Sequence, residues 1–267
     1  HTEKSKGIFT AWSLSRHLLD FPLIQIRTSS GPISEQVFST SIPNLISEQI
    51  LQKRPMIEYR KSRFYDEKGN PVDVGGVIYA PLALATATMR KLFDYRPKWP
   101  TLSFRAIKVI DYILEPSFRC VEFGSGMSTP WLAKRCNYLL SIENDKAWYD
   151  RVSAMIAANS FSHVRHELRE ANRYSDLSDH DDGLFDFVLV DGLDRHGCVI
   201  SAIPKIRPGG LIYLDNSDKD MTKPEGDVRR AEAALLEAVA KRGGSTRYFV
   251  DFSVTNFFVE QGLLVRL

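Results

Sequence analysis

Hydrophobic and polar positions follow two regimes along the chain. Residues 1–100 hold no sustained period, whereas from residue 101 short apolar runs alternate with helical spacing. Leu102, Ile107, Ile110, Ile113 and Leu114 predict a helix, and Arg119–Phe123 predicts a strand that runs into a glycine turn. Ser128-Thr129-Pro130 predicts a helix start, with a hydroxyl cap and Pro130 at the first helical position. Tyr138–Ile142 reads as a second strand. The next helix, capped by Asn144 or Asp145, runs to about Asn159 and leads to a third strand, His163–Leu168. Phe185–Val190 is almost continuously apolar, which suits a parallel strand buried on both faces. A short helix over His196–Ile206, a turn at Arg207-Pro208-Gly209-Gly210 and a strand at Leu211–Leu214 follow. Asp227–Arg242 is an Ala-rich helix closed by Gly243-Gly244. Thr246–Phe252 and Thr255–Glu260, about two residues apart, predict an antiparallel hairpin.

This alternation predicts an α/β fold: a doubly wound, mostly parallel sheet of seven strands with a terminal antiparallel β-hairpin. Ligands in such sheets sit at the C-terminal ends of the strands. Residues 101–267 are read as this domain, and residues 1–100 as an N-terminal extension that helps shape an acceptor pocket. Within the extension, helical pieces are predicted at Thr10–Leu19 and Asn44–Arg54. A hairpin is predicted from Met56–Asp66 and Lys68–Val72 around Gly69-Asn70. Lys53, Arg54, Arg60, Lys61 and Arg63 read as a solvated basic face.

Composition narrows the classes. Hydrophobic residues at 43% and charged residues at 25% of 267 exclude wholesale disorder, collagen-like repeats and a coiled coil. The longest apolar run, Val77–Met89, contains Pro81 and falls short of the ~20 residues of a membrane span. A net charge of +2 gives no global basic field, so no nucleic-acid partner is expected. The charge is uneven: residues 1–100 hold 14 Lys/Arg against 9 Asp/Glu and the remainder 21 against 24, which suggests a seam near residue 100. Cys120, Cys136 and Cys198 form no CxxC pair and read as free thiols of a reduced compartment, hence a cytoplasmic location. The chain opens on His1 without a signal-peptide pattern and reads as an excerpt.

Four segments carry candidate chemistry. Val121-Glu122-Phe123-Gly124-Ser125-Gly126-Met127-Ser128-Thr129 runs from strand through glycine turn to helix, where backbone approaches a ligand and free N–H groups meet it. Glu143 ends the second strand, 17 residues beyond Gly126, and can accept from both hydroxyls of a ribose. Phe185-Asp186-Phe187-Val188-Leu189-Val190-Asp191-Gly192 and Pro208-Gly209-Gly210-Leu211-Ile212-Tyr213-Leu214-Asp215-Asn216-Ser217 each place an acid at a strand end. The plainer readings are a tight structural turn, a helix-capping acid and loop caps.

Taken in order, these segments resemble class I S-adenosylmethionine-dependent methyltransferases, a Rossmann-like family, over roughly residues 101–260. The resemblance implies that Glu122, Gly124, Ser125 and Gly126 line the methionine end of the cofactor and that Glu143 binds its ribose. It places Asn144 beside the adenine, Glu170 and Ala171 in the region that meets the adenine, and Asp191 where cofactor and acceptor meet. A second resemblance, to metal-dependent catechol-type and caffeoyl-coenzyme A-type O-methyltransferases, implies a divalent cation on Asp191, Asp215 and Asn216. These oxygen donors suit Mg²⁺ or Ca²⁺. Such a cation lowers the pKa of an acceptor hydroxyl. The lysine that catechol-type enzymes carry three residues after the first Asp is Asp194 here. His196 is then the nearest candidate base, and Arg195 can hold an anionic acceptor group. The plainer readings are a helix-capping His196 and an Arg195 paired with Asp191 or Asp194. His163, His166 and His180 read as surface residues, 176–186 as a solvated acidic loop, and Trp131 and Trp148 as packing.

The expected function is S-adenosylmethionine-dependent O-methylation of a hydroxyl on a small molecule or saccharide, with a homodimer as a further expectation. A non-catalytic methyltransferase-like domain, an NAD(P)-dependent oxidoreductase and an aminopropyltransferase stand as alternatives. Against the oxidoreductase are Glu122 before the turn, the terminal hairpin and the lack of a Tyr-x-x-x-Lys pair after the fourth strand.

Overall fold

The computed structural model describes residues 61–267. Its strands are β1 (Arg119–Phe123), β2 (Tyr138–Glu143), β3 (Val164–Leu168), β4 (Phe185–Val190), β5 (Ile206–Leu214), β6 (Ser245–Ser253) and β7 (Asn256–Arg266). They form one sheet in the order β3-β2-β1-β4-β5-β7-β6. β1 to β5 are parallel, and β7 runs antiparallel to both β5 and β6. The helices are α1 (Val74–Val77), α2 (Ala80–Phe93), α3 (Phe104–Ile113), α4 (Ser128–Ala133), α5 (Lys146–Ala158), α6 (Arg195–Lys205) and α7 (Asp227–Arg242). The expected doubly wound α/β architecture with its terminal hairpin is the one observed.

Side chains alternate across a strand, so a strand covered on both faces is apolar throughout. In β4, Val188 and Val190 join a core with Val199 of α6 and Leu235 of α7. Phe187 and Leu189 join the opposite core with Ile110 of α3 and Trp131 of α4. β1 follows the same rule, with Val121 and Phe123 on the first side and Cys120 on the second. The two-residue period therefore sends Glu122 under α4. β1 pairs with β2 on one side and β4 on the other. Strand order reverses at that point, which opens a crevice beyond the strand ends.

Local chemistry moves several boundaries. Asp145 caps α5, accepting from the Trp148 N–H at 2.7 Å. Neither Ser128 nor Thr129 caps α4: both are helical, Met127 precedes them without a side-chain cap, and Pro130 is the third helical residue. Arg207–Gly210 is an irregular start to β5 rather than a free turn, because the Leu267 N–H donates to the Gly210 carbonyl at 3.0 Å. β7 extends to Arg266, since it pairs with β5 as well as β6. His166 and His163 are half-buried rather than on the surface. His166 stacks on Tyr149 with ring centroids 4.2 Å apart and bonds Ser153 at 3.0 Å, and His163 Nε2 lies 2.7 Å from the Ala133 carbonyl. His180 is likewise half-buried. All three cysteines are free and buried.

Of the extension, 61–100 is described. The predicted hairpin reduces there to a single bridge, Tyr65 to Pro71, around Gly69 at φ +83°. α2 packs Ala83 against Phe252, Val254 and Val259 of the hairpin. Arg105 bonds Asp73 at 2.7 Å and the buried Asp251 at 3.1 Å. The sequence reading missed α2, whose Ala/Thr-rich run with Pro81 in its first turn shows little amphipathic contrast. Thr10–Leu19, Asn44–Arg54, Met56 to Arg60 and the cations Lys53, Arg54 and Arg60 lie outside the described residues. No helix among the described residues is long and apolar enough to cross a membrane.

Gly243 closes α7 in the left-handed region at φ +68°, with no atom within 4 Å of the place a Cβ would take. Gly243→Ala pays only the backbone term, so it lowers stability by about 1 kcal/mol in urea denaturation, with Asn the best-tolerated replacement.

Candidate functional site

The crevice centres on the turn after β1. Gly124 adopts φ +94°, and its N–H donates to the Ile142 carbonyl at 2.9 Å. A Cβ there would lie 2.8 Å from Gly192 Cα and 2.9 Å from the Asp191 carbonyl carbon, so the turn rests directly on the backbone beyond β4. The Gly126 N–H donates to Thr129 Oγ1 at 3.0 Å, and the Thr129 hydroxyl donates to Glu122 Oε2 at 2.6 Å. Ser141 donates to the same oxygen at 2.7 Å. Glu122 is fully buried, and burial pushes its carboxyl up to about 7 against the pull of these hydroxyls. It braces the turn from below and does not line the cleft, which corrects its expected place beside the cofactor.

Glu143 stands at the end of β2, 6% exposed and open to the cleft. Its Oε1 accepts the N–H groups of Asn144 at 2.8 Å and Asp145 at 2.9 Å, and its Oε2 accepts the Ser125 hydroxyl at 3.1 Å. A carboxylate offers about four lone-pair positions, so Oε2 keeps one for a ligand.

The cleft has a volume of about 520 Å³, within the range of small-molecule sites. Gly124, Ser125, Gly126, Glu143, Asn144 and Asp191 all line it. Glu170 and Ala171 do not. Both are exposed, and Glu170 lines a separate cavity of about 620 Å³ with Arg165 and Arg173. Residues missed in the sequence also face the cleft: Tyr174, Trp148, and Arg90 and Arg96 from the segment before α3. Trp148 is more than packing, because its Nε1–H donates to the Ser125 carbonyl at 2.5 Å and Arg96 lies over its ring at 5.2 Å. A larger cavity of about 730 Å³ lies between the start of β5 and Leu267, lined by Pro208 and Gly209 but by none of the residues of the cleft.

At the ends of β4 and β5, Asp191, Asp215 and Asn216 lie near one another, and Arg195 stands with them. Its Nη2 donates to Asp191 Oδ1 at 2.9 Å and to Asn216 Oδ1 at 3.3 Å. Burial opposes the Arg195 charge, but Asp191 and Asp215 outweigh it and hold the guanidinium protonated. Burial and repulsion from Asp191 push the Asp215 carboxyl well up, and burial raises Asp191. The backbone N–H groups of Arg195 and His196 both donate to Asp227, at 2.7 and 2.9 Å, which pins the first turn of α6. His196 does not line the cleft. Among the described residues, no group of three or more His, Cys, Asp or Glu is placed to hold a metal. The oxygen set does not fit a divalent ion in this arrangement, because a guanidinium already stands among its donors.

The chain matches no protein-family model and no curated protein. Among solved structures it is similar to cofactor-bound Rv0187 from MTB, at 20% identity and a TM-score of 0.52 over 74% of this chain and 97% of that one. It is also similar to the O-methyltransferase from Bacillus cereus in complex with SAH, at 17% identity and a TM-score of 0.51 over 74% of this chain and 92% of that one. At these identities the likeness speaks for the fold: the chain has the Rossmann-like fold of class I S-adenosylmethionine-dependent methyltransferases.

Proposed function

We propose that the chain is an S-adenosylmethionine-dependent methyltransferase acting on a hydroxyl of a small molecule or saccharide. The observation that carries this reading is Glu143, held at the cleft wall by two backbone N–H groups with an Oε2 position left for a ribose hydroxyl. The residues present suit the cofactor. Gly124 and Gly192 pack backbone against backbone and against Tyr174, which holds the turn at the wall of the cleft that all three line. Ser125 and Gly126 receive the methionine end and Asn144 the adenine side. When bound, S-adenosylmethionine supplies a methyl group already activated on a sulfonium.

The chain then has two tasks: to align the acceptor oxygen for in-line displacement and to take its proton. Asp191 is the group for the second task. It faces the cleft, keeps a quarter of its side chain exposed, and has a carboxyl raised by burial toward the basicity a proton acceptor needs. Arg90 and Arg96 line the same cleft, which supports a role for the extension in shaping the acceptor pocket.

Calorimetry with S-adenosylhomocysteine tests the reading. Saturable binding at one site per chain is expected. Its absence, with binding of NAD(P)H instead, would transfer the cleft to the oxidoreductase reading. Glu143→Ala weakens S-adenosylhomocysteine binding by roughly 1–3 kcal/mol, about 5- to 150-fold, as befits charge-assisted hydrogen bonds. An unchanged affinity removes Glu143 from the ribose role.

A further inference from the structure

We propose that the Arg195 guanidinium is the resident cation at the ends of β4 and β5, supplied by the chain itself in the place that the oxygens of Asp191, Asp215 and Asn216 would otherwise offer to a divalent ion. The inference rests on the methyltransferase reading for what the site does, but its geometry stands by itself.

Two carboxylates and an amide oxygen at adjacent strand ends form a hard-oxygen set of the kind that takes Mg²⁺ or Ca²⁺. Here two of its three members already have a cation partner. One nitrogen, Nη2, reaches both Asp191 Oδ1 at 2.9 Å and Asn216 Oδ1 at 3.3 Å, bridging the ends of β4 and β5 as a shared ion would. The bridge is built rather than incidental. Asp194 takes a left-handed conformation at φ +47°, its side chain caps the Gly197 N–H, and Asp227 holds the backbone N–H groups of Arg195 and His196. The turn thus fixed carries Arg195 back over Asp191, four residues earlier. Asn216, itself left-handed at φ +53°, turns its side-chain oxygen to meet Nη2. Nε of Arg195 is buried without a hydrogen-bond partner among the described residues, so the side chain is placed for the two oxygens at a cost elsewhere.

A guanidinium keeps a fixed charge and directed N–H donors, and unlike a metal it cannot take an acceptor oxygen as an inner-sphere ligand. Arg195 therefore holds Asp191 and Asn216 in place beside the cleft that Asp191 lines.

The test uses Tb³⁺, a luminescent oxygen-seeking probe, with Mg²⁺ calorimetry beside it, on the EDTA-stripped full chain. Wild type and Asp215→Asn are expected to show the same weak background. Arg195→Met should gain a saturable Tb³⁺ site at least tenfold tighter than that background, lost again in Arg195→Met/Asp215→Asn, while Arg195→Lys keeps the charge and excludes the probe. Tight wild-type binding that disappears in Asp215→Asn overturns the proposal, and so does an Arg195→Met variant that folds yet gains no site. Should Arg195→Met not fold, the comparison of wild type with Asp215→Asn decides alone. S-adenosylhomocysteine binding, measured on the same wild-type sample, reports on the cofactor reading separately, so either can fail without the other.

Discussion

Gly124→Ala is expected to cost about 3 kcal/mol of folding stability and to weaken S-adenosylhomocysteine binding at least tenfold. Two terms add. At φ +94° an L side chain carries roughly 1–2 kcal/mol of backbone strain. Its Cβ would also stand 2.8 Å from Gly192 Cα and 2.9 Å from the carbon and oxygen of the Asp191 carbonyl. These are backbone atoms at the end of a central strand, so they cannot swing aside, and overpacking of this kind costs about 1–3 kcal/mol. The Asp191 N–H donates to the Phe123 carbonyl at 2.9 Å, so a displaced β4 end pulls on β1 and on the turn together. Gly126→Ala is the control. Its Cβ would meet Ser128 Oγ at 3.6 Å, an ordinary contact, and it should cost less than about 1 kcal/mol. Urea denaturation of both variants checks the contrast, and equal losses would show that the close approach at Gly124 is not what the turn depends on.

What was legible in the sequence follows from the range of the forces involved. β1 and β4 were read to the residue because each is covered on both faces and bounded by charges and glycines. Gly124 and Glu143 were found because strand, turn and helix follow in order, so local pattern alone fixes where they point. Glu122 was misplaced for want of the same rule. It shares a face with Cys120, two residues earlier, which puts it beneath α4 with Thr129 and Ser141. The sequence offers Arg195 two readings, a ligand for an anion or a partner of Asp191 or Asp194, because the choice depends on the bend at Asp194 and on Asp227 from a distant helix. Trp148, Tyr174, and Arg90 with Arg96 come to the cleft from three separate segments with no shared motif. Only tertiary packing brings them together, and no spacing in the chain records it.

The second large effect is a pH dependence set by Glu122. Its carboxyl is raised from 4.5 to about 7, chiefly by complete burial; Ser128, Ser141 and Thr129 pull it back, and the Asp191 charge adds to the rise. Oε2 takes both neighbouring hydroxyls, whereas Oε1 has no partner, so the ionised form is the poorly accommodated one. The folded chain therefore keeps a proton that the unfolded chain releases between about pH 4.5 and 7. Its stabilising contribution is complete below the unfolded value and is lost as pH rises through the folded one. The shift corresponds to about 3 kcal/mol. Asp191 and Asp215 are also raised and slope the same way, so the diagnostic quantity is the difference between wild type and Glu122→Gln. Glutamine keeps an oxygen for Thr129 and Ser141 and cannot ionise. From pH 5 to pH 8, urea denaturation should show the variant gaining on wild type by about 2.5 kcal/mol. If the two run parallel, Glu122 is not the group that ionises, and its hydroxyl partners hold the turn by packing alone. If they diverge as expected, the brace under the glycine turn carries an ionisation cost at neutral pH. Thr129 links Glu122 to the Gly126 N–H, so an apolar residue at position 122 would leave the Thr129 hydroxyl without its acceptor.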